Sequence, residues 1–92
     1  VGKIQKGITM GTSKDDIREW FREGEKKGAT HLIVVCDTYD YEDYPVYVMP
    51  DQDVREEESN YDGKNIQKIM EVYNLSMDME EQINGDRFTR NY

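Results

Sequence analysis

The chain predicts an α+β fold: a small antiparallel β-hairpin packed against two main helices, in the order α-β-β-α, with a short helix at the C-terminal side. Three observations carry this reading. Ile17, Trp20, Phe21 and Gly24 recur at i, i+3, i+4 and i+7, the period of one helix face. Leu32 to Cys36 form a short apolar run rich in β-branched residues, too brief for a helix and suited to a buried strand. The third is Pro45 to Pro50, where Val46 and Val48 alternate with Tyr47 and Met49 between two prolines, the period of a second strand.

Each element has its own local signals. Ser13 is placed to cap the first helix, with Asp16 three residues later as a capping-box partner. Gly24 lowers helix propensity on the apolar face, which implies close approach of another element there. Lys26 and Lys27 suit the negative end of the helix dipole, and Gly28 is a fitting stop. In the first strand, His31, Ile33 and Val35 share one face while Leu32, Val34 and Cys36 share the other. Both faces are apolar, so this strand is expected to be central or covered on both sides. A connection of about eight residues to the second strand suits antiparallel pairing, since a parallel crossover needs a dozen or more.

Two strands alone are marginal, so a third is sought in the N-terminal segment, where Ile4, Ile8 and Met10 share parity, or in a second copy of the chain. Residues 51 to 63 are polar, with Val54 as their one aliphatic residue, and read as a surface helix turn or ordered loop. Ile66, Ile69, Met70 and Tyr73 repeat the i, i+3, i+4, i+7 pattern and predict a second main helix from Asn65 to Leu75. A short helix follows around Met77 to Asn84, with Gly85 as its stop. The expected organisation is an N-terminal extension over residues 1–11, flexible or strand-forming, a single domain over 12–84 and a tail over 85–92.

Charge is the strongest functional signal. The net charge is −8, and it is concentrated. Residues 37 to 62 hold ten acids against one base, Arg55, a net of −9. Such a field repels phosphates, so direct nucleic-acid binding is disfavoured, and it attracts a cation or a basic protein face. No apolar stretch approaches the roughly 18 residues of a membrane span. A single cysteine, Cys36, permits no internal disulfide and fits a reducing, cytoplasmic setting.

The acidic segment opens with Asp-Thr-Tyr-Asp-Tyr-Glu-Asp-Tyr, residues 37 to 44. Its carboxylates resemble oxygen ligands for a divalent cation, but an EF-hand requires alternate ligands and a glycine at its sixth position, and this stretch has none. Tyrosines interleaved with carboxylates supply contact area alongside charge, the chemistry of a patch that binds a basic partner; the plainer alternative is a solvated loop. Cys36 and His31 lie five residues apart on opposite strand faces, roughly 16 Å along the strand, which separates the one thiol from the one imidazole. No CxxC, HExxH, GxSxG or phosphate-loop pattern occurs.

These readings converge on a non-enzymatic interaction module that binds a basic protein surface. The partner-binding residues are Asp37, Tyr39, Asp40, Tyr41, Glu42, Asp43, Tyr44, Glu56, Glu57 and Glu58. No cofactor, metal or catalytic residue is assigned, and a homodimer would enlarge the small core. The alternatives are a small metal-dependent hydrolase using the same clustered carboxylates, and a nucleic-acid mimic that blocks a DNA- or RNA-binding protein.

Overall fold

The computed structural model describes residues 13–39, 41–62, 67–85 and 89–92. Helix α1 spans Lys14–Lys27, strand β1 His31–Asp37, strand β2 Glu42–Val48, helix α2 Val54–Tyr61, strand β3 Gln67–Asn74 and helix α3 Met79–Ile83. The three strands form one antiparallel sheet in the order β2-β1-β3, so β1 is central. This is an α+β fold, and the expected hairpin is present with His31 opposite Val48 and Asp37 opposite Glu42.

The sheet is covered on both faces, which explains the two-sided hydrophobicity of β1. Leu32 and Val34 pack with Ile17 and Phe21 of α1, Ile83 of α3, and Tyr73 and Leu75. Ile33 and Val35 pack on the other side with Val48, Ile69 and Val72, joined by Val54 and Tyr61 of α2. Capping of α1 follows the sequence signals. Ser13 Oγ accepts from the Asp16 N–H at 3.1 Å. At the other end Gly28 has φ +79°, and the Gly28 and Ala29 N–H groups bond to the Glu25 and Gly24 carbonyls, a Schellman closure.

The expected helix from Asn65 to Leu75 is corrected: Gln67–Asn74 is the third strand. The reason is a β-bulge. Pairing with β1 shifts register between Val34 and Val35, where Val34 faces Glu71 and Val35 faces Ile69, leaving Met70 as the extra residue. One inserted residue turns a two-residue alternation into a three-residue step. Ile69 and Val72 therefore share one face of the sheet, while Met70 and Tyr73 share the other. Spacings of three and four residues imitate a helix period, and only the pairing with β1 reveals the strand. The N-terminal segment offered above as a third strand lies outside the described residues.

Two smaller expectations shift as well. Residues 51 to 63, read as a surface helix turn or ordered loop, contain the eight-residue helix α2, whose N-cap Asp53 accepts from the N–H groups of Arg55 and Glu56 at 2.9 and 3.3 Å. Pro45 does not bracket β2 but sits inside it, opposite Val34. An edge strand tolerates a residue without an N–H, and β2 is an edge of the sheet. No helix among the described residues is long and apolar enough to cross a membrane.

Candidate functional site

The acidic stretch that stood out in the sequence is the β1–β2 reversal. Asp37 ends β1 and Glu42 opens β2, directly opposite each other. Asp37 organises the turn twice over: its Oδ1 accepts from the Tyr39 N–H at 2.8 Å, and its backbone oxygen accepts from the Tyr41 N–H at 2.7 Å. Tyr41 has φ +60°, a left-handed conformation that a tyrosine rarely adopts. The outcome is a turn that holds two aromatic rings outward. Tyr39 is 81% exposed and Tyr41 58%. Asp40 lies outside the described residues.

The remaining residues of the stretch divide by strand parity. Asp43 faces Cys36 across the hairpin, on the α1 side of the sheet. The Cys36 thiol is buried, and its pKa is raised by that burial first and by the neighbouring Asp43 carboxylate second. A thiol held protonated in this way is a poor nucleophile. Tyr44 turns to the α2 side, packs against the Ile33 and Val35 cluster, and its hydroxyl accepts from the Gln67 side-chain amide. Burial raises the Tyr44 pKa, with the nearby Tyr61 adding to the effect.

Glu56, Glu57 and Glu58 sit on α2. Glu56 and Glu57 occupy its first turn, where carboxylates complement the helix dipole. Glu58 has a structural task. Its side chain is only 17% exposed; Oε2 pairs with Arg90 Nε at 3.0 Å and Oε1 accepts from the Tyr92 hydroxyl at 2.7 Å. The nine sequence-selected residues that are described therefore do not share one face. Asp37, Tyr39, Tyr41 and Glu42 gather at the hairpin tip, Asp43 and Tyr44 point to opposite faces, and Glu58 is tied to the C-terminal segment.

In that segment Tyr92 is a ring the sequence offered as a residue docking the tail, whereas Arg90 was not singled out. Arg90 Nη1 donates to the Met70 carbonyl at 2.8 Å and Nη2 to the Ile69 carbonyl at 3.3 Å, so its guanidinium closes over the bulge. The Arg55 guanidinium lies 4.2 Å from the Tyr92 ring centroid. His31 Nε2 meets the Tyr92 backbone oxygen at 2.8 Å, while its Nδ1 meets Thr30 Oγ1 at 2.9 Å. Gln82 is buried and joins β3, α3 and the C-terminal segment: Oε1 accepts from the Asn74 N–H and from Asn91 Nδ2, and Nε2 donates to the Asn74 carbonyl. An arginine in a mostly polar tail and a glutamine on a short helix give no local signal of such roles.

Among the described residues, no three His, Cys, Asp or Glu side chains gather as a metal-holding group. Asp37 braces the turn, Asp53 caps α2 and Glu58 pairs with Arg90, each a separate local contact. The chain matches no protein family, no curated protein and no solved structure. Function therefore rests on the chemistry of its own surface.

Proposed function

We propose that this protein is a non-enzymatic interaction module whose β1–β2 hairpin tip docks on a basic protein surface in a reducing, cytoplasmic compartment. The observation that carries this reading is the pair of outward tyrosines, Tyr39 and Tyr41, on a turn braced by Asp37 and flanked by Glu42. Exposed tyrosine rings bring contact area and a polar tip with little rotamer entropy to lose on binding. The surrounding carboxylates steer a cationic partner and discriminate against acidic ones. Glu56 and Glu57 extend the negative field along α2, whereas the tyrosines supply the anchor.

The test is capture of basic proteins from the native cell extract on immobilised full chain, beside a Tyr39→Ser/Tyr41→Gly variant and a Glu56→Gln/Glu57→Gln variant. The tyrosine variant should lose the bound partner. The glutamate variant should retain it with weaker binding, and raising salt from about 0.05 M to about 0.5 M should weaken the wild type as screening grows. A bound set that is the same for all three proteins and insensitive to salt overturns the reading.

A further inference from the structure

Two tyrosine rings among the described residues already carry a cation. The Arg55 guanidinium stands 4.2 Å from the Tyr92 ring centroid, and the Lys27 ammonium stands 5.5 Å from that of Tyr47. The face of an aromatic ring is the negative part of its quadrupole, so a positive group laid over it is attracted. A planar guanidinium can lie flat on that face, whereas an ammonium is more strongly hydrated. The arginine pair is the closer of the two here, and a carboxylate completes it, because Glu58 Oε1 accepts from the Tyr92 hydroxyl at 2.7 Å. Tyr39 and Tyr41 are the two most exposed large apolar side chains among the described residues. No cation among those residues lies over either ring, and the one base of residues 37 to 62, Arg55, is committed to Tyr92.

We propose that the hairpin tip selects arginine: it docks an arginine-rich segment of its partner by taking guanidinium groups over the Tyr39 and Tyr41 rings, and it discriminates against lysine at equal charge. This rests on the reading of the tip as a docking surface for a basic protein, and names the side chain that surface takes. Charge by itself does not choose between the two bases. Each brings one positive charge to a net of −9 over residues 37 to 62, and salt screens both alike. The rings do choose. A guanidinium is weakly hydrated, so it gives up little water when it stacks, and its five N–H donors stay at its edge, available to carboxylates. Asp37 and Glu42 stand directly opposite each other where the turn leaves the sheet, so acceptors of the right charge sit at the base of the ring-bearing turn. An ammonium that approaches the same ring loses more hydration and has no flat face to lay on it. The pairing of Arg55 with Tyr92 and Glu58 is the same chemistry made within the chain.

The experiment is an NMR titration of the isotope-labelled full chain with two peptides of equal charge, Gly-Arg-Ser-Gly-Arg-Ser-Gly-Arg and its lysine counterpart, followed at the backbone amides. The arginine peptide should bind at least about fivefold more tightly than the lysine peptide, with the largest shifts at Tyr39 and Tyr41. Raising salt to about 0.5 M should weaken both peptides and preserve their order. A Tyr39→Phe/Tyr41→Phe variant should keep the preference, since a phenyl face also attracts the cation, and Tyr39→Ser/Tyr41→Gly should abolish it. The comparison of the two peptides on the wild type needs no variant to fold. Equal affinities with shifts centred on the tip leave the basic-surface reading standing and overturn the selection of arginine. A preference that disappears in the phenylalanine variant assigns recognition to the hydroxyls and overturns stacking on the rings. An arginine preference with shifts centred on α2 overturns the placement at the tip. Binding of neither peptide at concentrations on the order of millimolar overturns this proposal and the basic-surface reading together.

Discussion

Gly24 and Leu75 meet so closely that a Cβ added to Gly24 would stand 2.8 Å from Leu75 Cδ1, with the Tyr47 ring at 3.1 Å. The absence of a side chain at this point lets α1 settle on the end of β3 and on β2. Alanine here would gain about 1 kcal/mol of helix propensity but must displace two packed side chains, which costs about 1–3 kcal/mol. Gly24→Ala is therefore expected to lose about 1 kcal/mol net, and Gly24→Leu substantially more. Urea denaturation reads both; an alanine variant more stable than wild type would show that Leu75 moves aside freely.

Tyr41 offers the opposite case. Its φ of +60° holds a tyrosine in a region where glycine is unstrained and asparagine is tolerated. Tyr41→Gly should raise stability by about 0.5–1 kcal/mol, because relief of strain exceeds the added entropy of the unfolded chain. The same change removes an exposed ring from the hairpin tip, so fold stability and partner binding should move in opposite directions. A drop in the denaturation midpoint would mean that the ring stabilises the fold in a way its exposure does not suggest.

Gln82 is the polar residue whose loss should be felt most. It is buried, and replacing it with leucine removes the acceptor for the Asn74 N–H and for Asn91 Nδ2 together with the donor to the Asn74 carbonyl. Buried groups left without partners cost about 1–3 kcal/mol each, and some of these can reach water. Gln82→Leu is expected to destabilise by about 2–3 kcal/mol and to speed amide exchange at Asn74 and Asn91. An unchanged midpoint with unchanged exchange would remove Gln82 from its place as the joint between α3, β3 and the C-terminal segment.

Alkaline pH should unfold the protein earlier than acid-base balance alone implies. Burial raises the Cys36 thiol and the Tyr44, Tyr47 and Tyr73 hydroxyls, and the hydrogen bond to Glu58 raises Tyr92. For each, the folded state holds its proton above the pH at which the unfolded chain releases it. The resulting stability is complete below the unfolded values, about 8.5 for cysteine and about 10 for tyrosine, and is lost as pH rises through the higher folded values. Glu80 acts at the other end: its hydrogen bond with Arg18 lowers its pKa, so that contribution is present above the unfolded value of about 4.3 and fades as pH falls through the lower folded one. Denaturation midpoints should be level near neutrality and fall progressively above about pH 9. A midpoint that rises between pH 9 and 11 would contradict the buried, protonated state of these groups.

The elements written in local chemistry were legible. Ser13, Gly28 and the apolar stripe of α1 specify a capped amphipathic helix without help from the rest of the chain. Leu32 to Cys36 announce a strand buried on both faces, and the structure supplies a helix layer on each. The charge excess of residues 37 to 62 is likewise a property of composition, and it falls on the hairpin and α2. Strand β3 was not legible, because the extra residue Met70 gives Ile69, Val72 and Tyr73 the spacing of a helix.

The sequence by itself determined an α+β domain with a central, two-faced strand, a capped first helix and an acidic middle segment carrying tyrosines. Each of these rests on neighbours within a few residues, through capping, side-chain parity or local charge. Tertiary structure alone decided that residues 67–74 pair with β1, that Asp43 and Tyr44 part to opposite faces, and that Glu58 belongs to Arg90 and Tyr92. Those outcomes depend on which distant backbone comes alongside. A bulge, an edge or an ion pair across more than thirty residues has no trace in the order of its own segment until the partner strand arrives.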